Sequence, residues 1–436
     1  MRRFTLLLFA LCWPGLGQDS VRSLSILHSN DLHAQLTPNV DGSGGFAYLA
    51  TAVRHEREGC TACIYLDAGD LVQGTPVSTV FHGVPVFAIA NMLGFDAGTL
   101  GNHEFDSGSK GVEKYMRVAH FPLVSANLTN ASGQPATGKA YVILNVGGVR
   151  VGIIGAVMED LVGGHVTSED VAPWRVGPVL EAVRRTAQEI RGHADMIVAL
   201  MHVDEKEAAE VLAQAPEVDI LILGHVHEGY AAMKQNGHRY AVEGKAYGAE
   251  LGRLDVRFDL AKHEVVAAEW KRIPIDSRKL APAPDVQQEI AKWEAKVAPI
   301  VDVPIGEAKR PISREELVQM MEEAMAEATK SDFGFATTGE VPKPLAAGKL
   351  NVRQIWEVMP YDNRIVTGRF KGSELPAKLT AGRTIDPQRE YRVVMSSFDA
   401  ETQATVFGTT GLKFGKPGLI QRDVMVDWVR KKKVLE

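Results

Sequence analysis

Five short apolar runs in this chain each stop at a residue able to bind a metal, and that pairing constrains the fold more than any other feature. The runs are Ser23 to His28, Ile64 to Asp67, Ala97 to Leu100, Met196 to Met201 and Asp219 to Leu223. They lead respectively to Asp31 and His33, to Asp70, to Asn102 and His103, to His202, and to His225 and His227. Between them lie segments with apolar residues at helical spacing: Phe46 to Glu58, Val84 to Leu93, Val179 to Arg191 and Glu205 to Gln214. Short apolar runs alternating with helical patterns predict an α/β architecture in which strands feed loops. In such sheets the ligand crevice lies beyond the carboxyl ends of the strands, so donors scattered in sequence can converge in space.

The local spacing supports convergence. Asp31-x-His33 and His225-x-His227 are i, i+2 pairs, which put both side chains on one side of an extended segment. Gly69, Gly101 and Gly224 permit tight turns beside them. The donors suffice for two ions. Imidazoles, carboxylates and one amide oxygen suit zinc, manganese or iron, whereas an all-oxygen shell would suit magnesium or calcium. Asp70 is the candidate bridge between the ions. The other eight histidines, His28, His55, His82, His120, His165, His193, His238 and His263, lack this arrangement and read as structural or exposed.

Arg2 and Arg3 precede an apolar run from Phe4 to Trp13, then Pro14 and the small-residue exit Gly15-Leu16-Gly17. This predicts a secretory signal over residues 1–17 and export to the periplasm or the extracellular space. The run is too short to span a bilayer, and the charged end Arg430-Lys431-Lys432-Lys433 is no greasy anchor, so no stable membrane attachment is expected. Taking the two leader arginines from the 48 basic residues leaves 46 against 54 acidic ones. A net acidic chain without a basic stripe argues against polymeric nucleic acid as a partner. Cys60-x-x-Cys63 reads as a local staple or two idle thiols, because zinc would need further partners.

After the strand-like Leu251 to Phe258 the texture changes. Pro274, Pro282 and Pro284 punctuate the way into a polar helix, roughly Val286 to Val297. The expected organisation is a catalytic unit over 23–275, a connector helix within 283–302, and a smaller α+β unit over 303–436. The last unit shows an amphipathic helix from Glu315 to Thr329 and strands from Asn363 to Phe370 and Tyr391 to Ser397.

Several blocks carry a family resemblance: Ser29-Asn30-Asp31-Leu32-His33, Asp67-Ala68-Gly69-Asp70, Gln73-Gly74-Thr75-Pro76, Gly101-Asn102-His103-Glu104-Phe105-Asp106 and Gly224-His225-Val226-His227. Together they resemble the signature blocks of the bacterial, exported 5′-nucleotidase family of calcineurin-like metallophosphoesterases. The resemblance implies a sandwich of two mixed sheets flanked by helices, carrying two divalent ions. By matching positions, Asp31, His33, Asp70 and His227 would hold one ion, and Asp70, Asn102, His202 and His225 the other. His103 would be the catalytic imidazole and Asp106 the residue that orients it. Such a site would acidify water from a pKa of ~15.7 towards ~7 and neutralise phosphoryl oxygens.

The resemblance weakens towards the end of the chain, in a shortened and divergent substrate unit. Where the family reads Asn-x-Gly-Gly-x-Arg, this chain has Thr337-Thr338-Gly339-Glu340-Val341-Pro342 and lacks the arginine. Leu345-Ala346-Ala347-Gly348, Met359-Pro360-Tyr361-Asp362-Asn363 and Thr367-Gly368-Arg369-Phe370 keep the frame. Phe398 matches one base-stacking ring, and its usual partner falls in the shortened stretch from Leu379 to Arg389. The leading expectation is a 5′-nucleotidase-like phosphomonoesterase releasing phosphate from nucleotides. A second reading changes the ester to a cyclic nucleotide, a nucleotide-sugar, another organic phosphate or a thiosulfate ester. A third is a non-catalytic, metal-containing binding protein, which leaves His103 and Asp106 without a task.

Overall fold

The structure, a computed structural model, describes residues 20–436 except residue 167. The leader expected over residues 1–17 therefore lies outside the described residues. Strand Val21–Ser29 is the centre of a five-stranded sheet, antiparallel to Glu250–Asp259 and parallel to Cys63–Asp67. Ala97–Gly98 and Glu264–Pro274 complete its edges. A six-stranded sheet faces it, with Val149–Val157, Met196–His202, Ile220–Gly224 and Arg239–Glu243 in parallel and an antiparallel strand at either edge. Both sheets are mixed, as the family resemblance implies.

Alternation along the strands builds this sandwich. Leu24, Ile26, Ile64 and Leu66 of the first sheet share one core with Ile153, Val198, Leu200 and Ile222 of the second. Their neighbours Leu27, Tyr65, Ile197 and Ala199 point the other way, into the helical layers. Each fully buried aliphatic side chain contributes about 1.5–3 kcal/mol. The run from Ala97 forms a strand only over Ala97–Gly98, and beyond it the Thr99 N–H still donates to Asp67 O while its hydroxyl donates to the Val124 carbonyl.

Helix Phe46–Glu58 begins after two glycines at positive φ and packs against helix Pro284–Val301. The Arg54 guanidinium donates two bonds to Asp285, at 2.9 and 2.8 Å, across this contact. The connector is longer than its polar pattern suggested, because Pro284 is accommodated in its first turn. A disulfide joins Cys60 to Cys63 and staples the turn into strand Cys63–Asp67.

The C-terminal elements are α+β. One three-stranded sheet is ordered Gly348–Asn351, Pro304–Ala308, Val434–Leu435, and the other Phe333–Gly334, Glu390–Ser396, Ile365–Lys371. Helices Arg314–Thr329 and Gln421–Lys432 cover them, the first opened by a capping box on Ser313 and Glu316. The strand expected from Asn363 starts at Ile365: the Asn363 carbonyl accepts from Gln421 N–H at 2.8 Å instead of from strand Glu390–Ser396, and its side-chain amide donates to buried Glu340.

His28 is fully buried in the first sheet, stacked on Trp270 at 5.1 Å, and neither ring nitrogen has a hydrogen-bond partner among the described residues. Burial lowers its pKa to about 3 from 6.5. The unfolded chain therefore protonates first, and His28 destabilises the fold as pH drops below 6.5. At pH 5 the expected loss is about 2 kcal/mol, and His28→Phe should remove it. Denaturant unfolding at pH 7 and pH 5 checks this: an equal acid penalty in both proteins would contradict it.

Candidate metal centre

The parallel strands of both sheets point their carboxyl ends at one edge, and the loops there are tied to each other by backbone bonds. Asp31 N–H donates to Gly69 O at 3.0 Å, and His33 N–H to Asp70 O at 2.8 Å. Tyr247 N–H donates to Asp31 O at 2.7 Å, and Ala246 N–H to His227 O at 2.9 Å. The Nδ1–H of His202 donates to Ala68 O at 2.8 Å, which joins the second sheet to the first and aims Nε2 at the loops. A Cβ on Gly101 would lie 2.2 Å from Asp70 Oδ1, so only glycine fits there.

These loops hold strained residues. Of the twelve non-glycine residues with positive φ among the described residues, five are Asp31, His33, Asp70, His225 and His227. Each costs about 1–3 kcal/mol and persists only where surrounding bonds dictate it. That strain is concentrated on the candidate donors.

One ligand atom from each of Asp31, His33, Asp70 and His227 lies within 4.8 Å of all the others. His33 Nε2 is 3.0 Å from His227 Nε2, and His227 Nε2 is 3.6 Å from Asp31 Oδ1. Beside this cluster, His202 Nε2 is 3.2 Å from both Asp70 Oδ2 and Asn102 Oδ1. The His225 ring meets the His202 ring edge-on at 5.3 Å between centroids. The structure thus brings together all seven sequence-expected metal donors, with Asp70 between the two groups.

Packing imidazoles and carboxylates so closely shifts their protonation. Burial would raise Asp70, but the His202 and His103 rings outweigh it and hold the carboxyl well below its usual range. Burial lowers His33 well below 6.5 and takes His225 to about 3. His202 goes the other way: burial is overcome by Asp70 and Asp31, which raise it to about 10. These are donors of the kind that suit divalent zinc, manganese or iron, and loading an ion requires His202 to release its proton.

His103 stands at the side of this cluster. Its backbone N–H donates to Asp70 Oδ1 at 2.9 Å, and its Nδ1 lies 3.1 Å from Asp106 Oδ2. Burial opposes its charge, but Asp106 and Asp70 prevail and raise its pKa to about 9. The Tyr361 ring from the C-terminal elements stacks on it at 5.7 Å and 18°.

Sequence reasoning missed several residues here. Buried Glu104 accepts the N–H groups of Asp70, Leu71, Val72 and Gly101 at 2.6 to 3.3 Å, pinning two loops at once. Burial pushes its pKa to about 7, against four donors that favour the ion. Asn30 donates to Asp31 Oδ2 at 2.6 Å while bonding both ways with Gly244. Glu104 and Asn30 sit inside recognisable motifs, so their position was visible although their task was not. His165, read as structural or exposed, meets the His225 ring edge-on at 4.9 Å. Tyr247 packs on His33 and His227 at 5.2 and 5.5 Å. No sequence signal marks either. Phe398 is half-buried in the short helix Ser397–Glu401 and stacks on no other aromatic ring among the described residues.

Comparison with known proteins adds an independent line. The profile of the calcineurin-like phosphoesterases matches residues 24–229, and that of the 5′-nucleotidase C-terminal domain matches residues 300–383. The protein UshA of Yersinia enterocolitica is 23% identical, over 90% of this chain and 87% of its own. Other curated relatives are longer, and the chain spans 32% of the length of one and 51% of another. Among solved structures, a 5′-nucleotidase precursor from Thermus thermophilus superposes with a TM-score of 0.84 at 22% identity, covering 95% of this chain and 97% of that one. The Thermus thermophilus sulfate thiohydrolase SoxB gives 0.79 at 16% identity, covering 94% of each. The fold is shared by both and does not itself choose between their substrates.

Proposed function

This chain is a calcineurin-like phosphoesterase that carries a 5′-nucleotidase C-terminal domain, and from that premise we propose that it hydrolyses phosphate monoesters of nucleotides, releasing inorganic phosphate. The proposal assigns the catalytic unit to 23–275 and the substrate unit to 303–436. Asp31, His33, Asp70 and His227 would hold one divalent ion, and Asp70, Asn102, His202 and His225 a second, with zinc, manganese or iron as the ions that suit these donors. When bound, divalent ions neutralise phosphoryl oxygens and acidify water.

The observation that carries the reading is the His103–Asp106 pair beside that donor cluster. The Nδ1–H of His103 donates a hydrogen bond to Asp106, which leaves Nε2–H as the proton that the ring can offer to the ester. At neutral pH a group raised to about 9 is an imidazolium, suited to stabilise charge on the leaving oxygen and to give it a proton. Asn30 and Glu104 hold Asp31 and the Asp70 loop in place, which fixes where the phosphoryl group would sit. A purely structural metal site needs no such acid, and that counts against a binding-only protein.

We place the working protein outside the cytoplasm. The leader-like residues 1–17 and the Cys60–Cys63 disulfide support this. Among the described residues no helix is long and apolar enough to cross a membrane.

A substrate panel tests the function. Supplied with manganese or zinc, the protein should release phosphate from AMP faster than from a base-free phosphate monoester, from a cyclic nucleotide or from a nucleotide-sugar, and a chelator should stop it. Equal rates on AMP and the base-free ester would remove the nucleotide specificity. Release of sulfate from a thiosulfate ester, with none of phosphate, would replace the proposed reaction altogether.

A further inference from the structure

Lys343 is a cation with no acid of its own at the mouth of the centre. Its ammonium donates to Gln35 Oε1 at 3.2 Å and lies over the Tyr247 ring at 5.0 Å. Gln35 is held for this contact, since its own amide donates to Thr37 O at 2.7 Å. Tyr247 is the ring packed on His33 and His227. Burial lowers the pKa of Lys343, and Glu357 acts against that.

The segment that carries Lys343 is firmly fixed. Leu345 exchanges two backbone bonds with Ile312, and the Val341 carbonyl accepts from Arg314 at 2.7 Å. Val341 and Leu345 are buried on either side. The lysine therefore projects from the C-terminal elements across to the metal-side wall by design of the backbone. A half-buried ammonium that faces an amide oxygen and an aromatic ring costs free energy until an anion reaches it.

We propose that Lys343 receives the phosphate group of the substrate, as the positive charge that the C-terminal elements bring to the Gln35 and Tyr247 wall of the donor cluster. The inference rests on the phosphoesterase reading and names a residue within it. Lysine suits the task as a point charge with three donors. Gln35 and Tyr247 hold the ammonium at the edge of the donor cluster until the ester arrives.

Wild type, Lys343→Ala and Lys343→Arg test this, each loaded with manganese. For AMP hydrolysis, Lys343→Ala should raise KM by about tenfold to a hundredfold and change kcat far less, and Lys343→Arg should restore most of the loss. The dissociation constant of inorganic phosphate, read by calorimetry without turnover, should rise in parallel. Equal KM and equal phosphate affinity in wild type and Lys343→Ala would overturn the assignment while leaving the phosphoesterase intact. Phosphate binding that depends on Lys343 in a protein that cleaves no ester would do the reverse. Matching melting temperatures among the three proteins keep a folding defect from imitating the result, and Lys343→Met serves if the alanine variant is unstable.

Discussion

His103→Ala is expected to lower kcat by about a hundredfold to ten-thousandfold with metal content unchanged, which is the range for loss of one positioned acid. The size follows from where the ring sits. It bonds Asp106 through Nδ1 and is stacked on Tyr361, contacts that hold its proton beside the donor cluster. Elemental analysis beside a single-turnover assay separates the two quantities. An alanine variant that turns over at the wild-type rate would remove His103 from the chemistry, and one that loses its metal would make it a structural support.

The same pair predicts a pH response. His103 is raised because Asp106 is the first charge that overcomes its burial. Its contribution is present below about 9 and is lost as pH rises through that value. Asp106→Asn removes the charge while retaining an acceptor oxygen, so the alkaline limb of kcat should move to lower pH. A limb that stays in place would mean that another group sets it.

Much of this architecture was visible in the chain because strands and ligands coincide. Strands such as Met196–His202 and Ile220–Gly224 are continuous apolar runs, as buried parallel strands must be, and their ends are marked by the polar residues that follow. The grouping of Asp31, His33, Asp70 and His227 was equally legible, since sheet topology alone sends those loops to one edge. What was not legible depends on long-range packing. Tyr361 reaches His103, and Lys343 reaches Gln35, only because the C-terminal elements fold back on the catalytic sheets. His165 and Tyr247 have ordinary sequence surroundings and acquire their position from contacts with His225, His33 and His227, which are distant in sequence or on other loops. Glu104 illustrates another limit: its motif was recognisable, but four backbone donors on two loops form a contact that no residue spacing encodes.

Asp70→Asn should have the larger effect, because Asp70 lies between both groups of donors. Its Oδ2 is 3.2 Å from His202 Nε2 and 3.8 Å from His33 Nε2, while Oδ1 accepts the His103 N–H. Asparagine keeps the shape and the N–H acceptor but brings one less negative charge to both ions. We expect less than one tightly held ion per chain, and a loss in kcat/KM of about a thousandfold or more, since several kcal/mol of charge stabilisation go with the metals. Stability supplies a second readout. Bound ions stabilise the folded chain by mass action, so a chelator should lower the melting temperature of wild type and leave the variant nearly unmoved. In metal-free buffer the variant should be the weaker protein near neutral pH, because the buried Asp70 carboxylate there offsets the charge of His202 and His103. If the variant instead keeps two ions and its chelator-sensitive melting, Asp70 does not bridge, and the division of the seven donors into two sites must be redrawn around Asp31.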